Sequence, residues 1–430
     1  MNYYKRTADA LLQDLLDAFG AVLIEGPKWC GKTTTASQLA NSILRMQDPS
    51  MREEYLATAK TKPSILLKGD TPRLIDEWQD APMLWDAVRT TVDDRQIPGQ
   101  FILTGSNAVD KSQIHHSGAG RIARLRMLPM SLWESQESTG EVSLKELFNN
   151  PDYDIDGKMS KMTVEDLNFA ASRGGWPASL LARTPKAQLL VAKNYVQTIC
   201  SDDVSGIDGK KRDAKLTSMI LRAYARNVST LVKKKSLLDD VTSSGEVSCH
   251  VDTFDDYVSA LEKLFVIQNI SAWCPAIRSK TAIRSSVKRC FCDPSIPIAL
   301  LGLSPESLSM QLRTFGFIFE QMCIRDLKAY TIDLNSHVSY YHDRYDLEAD
   351  IVLHLEDGRY ALIECKLGSS EIDEGAKHLL ELKRLIQEHN KTEKQVPIRE
   401  PDLLIVMTGG TMAYSRPDGV KVIPLACLKD

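Results

Sequence analysis

Apolar residues recur at helical spacing from Tyr3 to Phe19 and then bunch into a run of strand length, Ala21 to Ile24. The same alternation continues: a helix opens at Thr34, short apolar runs end at Asp76 and begin at Phe101, and an amphipathic stretch from Ala81 to Asp94 lies between them. These periods predict strands alternating with helices, the pattern of an α/β fold with a mainly parallel sheet. It ends near Glu134, and the polar stretch Asn149 to Gly157 reads as a surface linker. From Thr163 to Glu262 the period is helical, and from about Ser304 helix and strand mix again. The expected division is 1–135, 136–185 (lid or linker helices), 186–303 and 304–430.

Within the helical part the spacing predicts a winged helix-turn-helix. Arg212 to Asn227 is the first helix, Ser229 caps a second over Thr230 to Asp239, and Thr253 caps a third ending near Phe265. Val266 to Trp273 and Val287 to Cys292 are the expected wing strands. Between Cys274 and Phe291 there is no acidic residue, while Arg278, Lys280, Arg284, Lys288 and Arg289 supply five cations. Such a loop, 278–289, suits contact with the phosphates of duplex DNA. Asp252, Asp255, Asp256 and Glu262 on the third helix would repel a phosphate backbone, so docking of a protein partner stays open beside DNA. Further on, Leu347 to Leu355 and Tyr360 to Lys366 read as a hairpin about an Asp357-Gly358 turn, which brings Asp350 within one position of Glu364.

Composition narrows the class. In 430 residues, 43% hydrophobic and 26% charged content is that of a globular protein, and a net charge of −4 argues against wholesale coating of nucleic acid. Nine cysteines without paired spacing read as reduced thiols. No apolar stretch is long enough to span a bilayer, and the first residues lack a signal-type apolar region, so a cytoplasmic location without membrane contact is expected.

Candidate chemistry concentrates at two places. Gly26-Pro27-Lys28-Trp29-Cys30-Gly31-Lys32-Thr33 fits G-x-x-x-x-G-K-[ST] between a strand and the helix that opens at Thr34. Such a loop cradles the phosphates of ATP with backbone N–H groups, Lys32 adds a charge, and Thr33 offers its hydroxyl to Mg²⁺. Asp76 and Glu77 end the next apolar run as expected for a metal-shell carboxylate and a general base. Thr104, Ser106 or Asn107 could sense the γ-phosphate, and Arg121 or Arg124 could act as an arginine finger, in cis or toward a neighbouring subunit. The second place is the hairpin. Asp350 and Glu364 could hold Mg²⁺, with Glu320 upstream as a third acid and Lys366 on the same face as Glu364, the set phosphodiester cleavage requires.

The order Gly26 to Thr33, Leu74-Ile75-Asp76-Glu77-Trp78-Gln79 and Leu103-Thr104-Gly105-Ser106 resembles the prokaryotic AAA-type ATPases that end in a domain of unknown function. Gly174-Gly175-Trp176-Pro177, Leu261 to Val266, Gly316 to Glu320 and Leu362-Ile363-Glu364-Cys365-Lys366 extend the likeness over nearly the whole chain. The resemblance implies an AAA-like P-loop domain, a winged-helix middle and a C-terminal fold like PD-(D/E)xK endonucleases, with Glu320, Asp350, Glu364 and Lys366 on the nuclease positions. Ala349 stands where that motif has proline. Two readings follow: an ATP-driven enzyme that engages and cuts DNA, or a nucleotide-dependent switch whose C-terminal domain is silent and binds DNA or a protein partner. A homo-oligomer is compatible with either.

Overall fold

The computed structural model describes residues 3–105, 117–207, 209–243, 245–274, 286–391 and 397–430. The first helix, α1 (Ala8–Ala18), starts later than the apolar period suggests, because residues 3–6 are drawn along the loop that follows β1 (Ala21–Glu25). Next come α2 (Lys32–Leu39), β2 (Ser42–Arg45), α3 (Arg52–Thr61), β3 (Arg73–Asp76), α4 (Met83–Arg95), β4 (Phe101–Gly105) and β5 (Ile122–Arg126). The five strands form a parallel sheet in the order β2-β3-β4-β1-β5. Alternation of side chains sends Leu23, Ile75 and Leu103 to one face, against Trp85 and Val88 of α4. Val22, Leu74 and Ile102 go to the other, against Leu12 and Leu16 of α1.

Beyond the sheet, β6 (Val142–Ser143) pairs with β13 (Leu428–Lys429), and the segment expected as a surface linker is itself tied to the C-terminal region, Gly157 donating its N–H to Ala413 O at 3.0 Å and Asp156 accepting from the Ser415 N–H at 2.6 Å. The helical part holds α5 (Val164–Arg173), which opens with a Thr163–Asp166 capping box, α6 (Pro185–Thr198), a π-helical turn (Ile199–Asp203), α7 (Ala214–Arg226), α8 (Lys234–Thr242) and α9 (Val251–Lys263). Two expected caps are corrected here. Ser229 has φ 57°, hands its N–H to Arg289 O and its hydroxyl to Phe317 O, and caps nothing; α8 begins only at Lys234. Thr253 lies inside α9, which starts after His250. Antiparallel bridges Ile267↔Phe291 and Ile270↔Lys288 join the two expected wing segments.

In the C-terminal region, α10 (Leu312–Tyr330) and α11 (Ile372–Asn390) flank a mixed sheet of β7 (His337–His342), β8 (Glu348–His354), β9 (Tyr360–Lys366), β10 (Leu403–Thr408), β11 (Tyr414–Ser415) and β12 (Lys421–Pro424), ordered β11-β12-β10-β9-β8-β7. Its α10 side belongs to one apolar cluster that runs on through the helical part, from Leu132 to Leu428. A buried ion cluster stitches these regions together. Arg325 of α10 pairs with Asp293 at 3.1 Å and Asp326 at 2.7 Å, while Asp293 also takes the Gly175 N–H and Asp326 that of Leu132. Among the described residues no helix is long and apolar enough to cross a membrane.

Candidate functional site

The loop between β1 and α2 is shaped by its glycines. Gly26, at φ 153°, lies so close to Met127 that a Cβ there would sit 2.2 Å from the Met127 carbonyl oxygen, and Gly31 starts α2 at φ 101°. Trp29 also takes a left-handed conformation, at φ 65°. Lys32 is buried, and its Nζ donates to the carbonyls of Gly26 at 2.9 Å and Pro27 at 2.8 Å. Thr34 is exposed in the first turn of α2.

Across the sheet, the Thr33 hydroxyl donates to Asp76 Oδ1 at 2.7 Å, and the Thr104 hydroxyl donates to the same oxygen at 2.6 Å. Parallel pairing of β3 with β4, Asp76 opposite Thr104, fixes that meeting. A hydroxyl and a carboxylate converging beside a phosphate-type loop fit the sparse protein share of a Mg²⁺ shell, which otherwise takes water and phosphate oxygens. Glu77 follows in the left-handed region, φ 55° and ψ 48°, and accepts a short hydrogen bond from the Gln79 amide. Burial pushes its carboxyl above the ordinary glutamate value, against the pull of Gln79 and Lys32. A non-glycine residue held there aims its side chain off the strand end, as a water-positioning group requires.

The loop is braced by residues whose part was not legible beforehand. Buried Arg6 donates to Cys30 O at 2.7 Å, to Leu128 O at 2.7 Å and to Glu134 at 3.0 Å. Glu134 also accepts from the N–H groups of Thr7 and Ser131. Lys28 reaches Asp203, on the π-helical turn, at 2.6 Å, and the Trp29 ring meets Tyr195 of α6 edge-on at 5.5 Å. Tyr195 in turn stacks on Trp176 of the Gly174-Gly175-Trp176-Pro177 stretch at 4.3 Å. Of these residues outside the loop, only the Gly174-Gly175-Trp176-Pro177 stretch carries a sequence signal, as part of the family resemblance.

Arg121 is not brought to the loop. Its carbonyl accepts from the Ala21 N–H, which places it at the start of β5, at the sheet end opposite the phosphate loop, and its side chain pairs with Asp93 at 2.8 Å. A cis finger role for it is therefore corrected. Arg124, mid-strand, pairs with Glu25 at 3.0 Å. Ser106 and Asn107 lie outside the described residues.

The C-terminal acids meet differently. The β8–β9 ladder pairs Ile351 with Ile363, and continued by one step it sets Asp350 opposite Glu364. Glu364 is fully buried 3.1 Å from Lys366 Nζ, with His378 Nδ1 of α11 at 3.8 Å. Burial, and then the charge of Asp350, push the Glu364 carboxyl upward. Room for this comes from Gly375, where a Cβ would lie 3.2 Å from that of Glu364. Lys288 enters from the wing segment: its Nζ makes a short hydrogen bond to Glu320, donates to Asp350 O at 3.0 Å and lies 3.6 Å from Asp350 Oδ1. Burial opposes its charge, yet the attraction of Glu320 and Asp350 raises its pKa above the ordinary lysine value.

Two expectations are corrected by this geometry. Lys288 and Arg289 are not bare wing charges. Both are buried, and Arg289 donates to Val232 O and Tyr224 Oη. Arg278, Lys280 and Arg284 lie outside the described residues. Nor do Glu320, Asp350 and Glu364 fit a divalent ion as arranged. An ammonium group holds Glu320, Asp350 Oδ2 accepts from the Cys365 N–H at 2.9 Å, and no three acidic, histidine or cysteine groups among the described residues converge.

Three stretches match known families: residues 18–136 an AAA domain, residues 164–307 a domain of unknown function (DUF8612), and residues 315–428 a domain of unknown function (DUF4143). Uncharacterized proteins of Mycobacterium tuberculosis (Rv2008c) and Mycobacterium bovis (Mb2031c) are each 24% identical over 366 residues, covering 83% of this chain and 72% of theirs. Among solved structures, the Walker-type ATPase paby2304 of Pyrococcus abyssi is similar over 70% of this chain and 96% of its own, at 12% identity and a TM-score of 0.40. A RuvB mutant of Thermotoga maritima is similar over 61% and 87%, at 17% identity and a TM-score of 0.25. Both structural likenesses are loose. The family matches support an AAA-type ATPase domain, with a nucleotide as its substrate and Mg²⁺ as the usual ion, joined to a C-terminal domain of unknown function.

Proposed function

We propose that this chain binds ATP at the loop 26–33 and hydrolyses it, and that its C-terminal domain is a silent partner rather than a nuclease. The observation that carries the first part is the convergence of the Thr33 and Thr104 hydroxyls on Asp76 beside Lys32. Among the described residues Lys32 is held by neutral carbonyls, so it can exchange them for the β- and γ-phosphates, where a charge-assisted bond is stronger. Thr33 and Asp76 would hold Mg²⁺, which when bound would supply positive charge for the transferring phosphoryl group. Glu77 orients the attacking water and takes its proton, with Gln79 steering the carboxylate. Thr104 keeps Asp76 aimed at the metal shell, and Ser106 is the next candidate sensor along the chain.

For the C-terminal domain, Lys288 among the acids favours the second of the two readings. Three helices and the bridged segments that follow them support a winged-helix reading of the middle part, with a DNA or protein partner in the cytoplasm and with self-association compatible with either.

One assay separates these readings: purified protein with Mg²⁺, ATP and plasmid DNA, scored for phosphate release and nicking together. Phosphate release without nicking is expected. Lys32→Ala should lose ATP binding, and Glu77→Gln should bind ATP but turn it over about a hundredfold more slowly. Wild-type turnover in Glu77→Gln would falsify the assignment of the base. Metal-dependent nicking that disappears in Asp350→Ala while ATP turnover persists would overturn the silent-domain reading.

A further inference from the structure

A cavity of about 700 Å³ opens where β5, the helical part and the end of α10 meet, away from the phosphate loop. Its size falls in the range of about 300–1,000 Å³ usual for small-molecule sites. Its lining carries more cations than acids, and two of the cations, Lys328 and Arg289, make no ion pair with any described residue. Lys328, half-buried in the last turn of α10, makes neither hydrogen bond nor ion pair with any described residue. Arg126, at the end of β5, has its nearest carboxylate, Glu25, at 4.0 Å, and Glu25 already binds Arg124 at 3.0 Å. Among the described residues Arg289 donates to a backbone carbonyl and a tyrosine hydroxyl. Of the two acids in the lining, Asp255 pairs with Lys234 at 2.9 Å, and Glu262 accepts from the Asn269 amide at 3.2 Å while its charge also acts on Arg289.

The lining sets four cations, Arg126, Lys234, Arg289 and Lys328, against two acids, Asp255 and Glu262, and the excess positive charge opposes itself even though Arg126 stays largely exposed. Burial lowers the pKa of Lys328, and repulsion from Arg126 adds to the fall against the opposing Cys290 thiol. A doubly charged anion relieves that tension, and the guanidinium of Arg126 offers a forked donor for it. Aromatic walls at Tyr224 and Phe254, with the amides of Gln268 and Asn335, provide for an attached organic group.

We propose that this cavity binds a small phosphate-bearing ligand, its anionic group held between Arg126 and Lys328 with Arg289 behind. Three converging regions wall the cavity, which suits a compact ligand better than a duplex, although a nucleic-acid backbone presents the same phosphate chemistry. The site is distinct from the ATP loop yet adjoins it through sequence, because Met127, next to Arg126, is the residue whose carbonyl abuts Gly26.

The test saturates the ATP loop of the full chain with Mg²⁺ and a non-hydrolysable ATP analogue, then titrates inorganic pyrophosphate and, separately, a short DNA duplex by calorimetry. Saturable binding of one pyrophosphate is expected. Lys328→Met and Arg126→Gln, which lie on different regions, should each weaken it by about tenfold or more, with melting and analogue binding unchanged. Absence of pyrophosphate binding in the wild type overturns the proposal, as does binding indifferent to both substitutions. Uptake that tracks release of the analogue assigns the anion to the ATP loop and overturns it too. Binding of the duplex without pyrophosphate replaces the small ligand with a nucleic-acid backbone.

Discussion

Two buried lysines in this molecule sit among oxygens at comparable distances, and they are prepared for opposite fates. Lys32 is held by the carbonyls of Gly26 and Pro27, dipoles that do not cancel its charge. Lys288 is held by Glu320 and Asp350, which do. An incoming phosphate can outbid carbonyls for an ammonium, but it meets little attraction at one already neutralised by carboxylates. The first arrangement is open to a ligand and the second is closed on itself, although both would be described as lysine-and-acid clusters.

The contrast breaks most visibly in stability. Lys288→Met leaves buried carboxylates without their cation and should cost about 3–5 kcal/mol, whereas Lys32→Met strands only carbonyls and should cost no more than about 2 kcal/mol. Thermal melts of the two variants decide it. The comparison fails if Lys288→Met melts like the wild type and Lys32→Met does not.

A smaller effect comes from the brace behind the ATP loop. Burial raises the Glu134 pKa, but Arg6 and the N–H donors of Ser131 and Thr7 outweigh it and leave the value depressed. A depressed carboxylate stabilises fully above its unfolded value of 4.5, and that contribution fades as pH falls through the lower folded value. Glu134→Gln should therefore cost about 1.5–3 kcal/mol at neutral pH, with its gap to wild type narrowing below pH 4.5. Melting curves from neutral to acid pH measure this, and a gap that widens in acid reverses the sign assigned here.

The smallest effect sharpens the picture of the open site. Lys28 is partly exposed, so solvent screens its pair with Asp203, and Asp203→Asn should be worth about 0.5–1 kcal/mol. Read as the KM for ATP, that is a change of about two- to fivefold with kcat held. A fall in kcat instead would mean that the π-helical turn acts on the chemistry and not on docking of the nucleotide.

What was legible in the sequence follows from the same difference. The ATP loop is eight consecutive residues between a strand and a helix, so the residue order itself carries the geometry. Strands β1, β3 and β4 announced themselves as apolar runs. The edge strands did not: β2 buries one residue of four, and β5 is interrupted by Arg124 and Arg126, which an edge position tolerates. At the C-terminal cluster the hairpin register was readable to within a residue, but the decisive group came from another region. Val287-Lys288-Arg289 looks like wing charge, and only packing shows that Lys288 turns toward Glu320 while its neighbours line the cavity. His378 gave no signal either, since one histidine in an amphipathic helix has no pattern of its own.

The pairing of β6 with β13 has a consequence for how the molecule is made. The Ser138 hydroxyl donates to the carbonyl of Leu428, 290 residues later. At the ribosome's pace of about 5–20 residues per second, the segment around β6 waits on the order of 15–60 s for that partner. Throughout that interval the nascent chain can close its ATP-binding sheet, while Val142 stays without Leu428, its partner across the ladder, and without the other C-terminal members of its apolar cluster. Chaperones and proteases therefore meet this protein first as a finished nucleotide-binding head trailing an unfinished apolar seam.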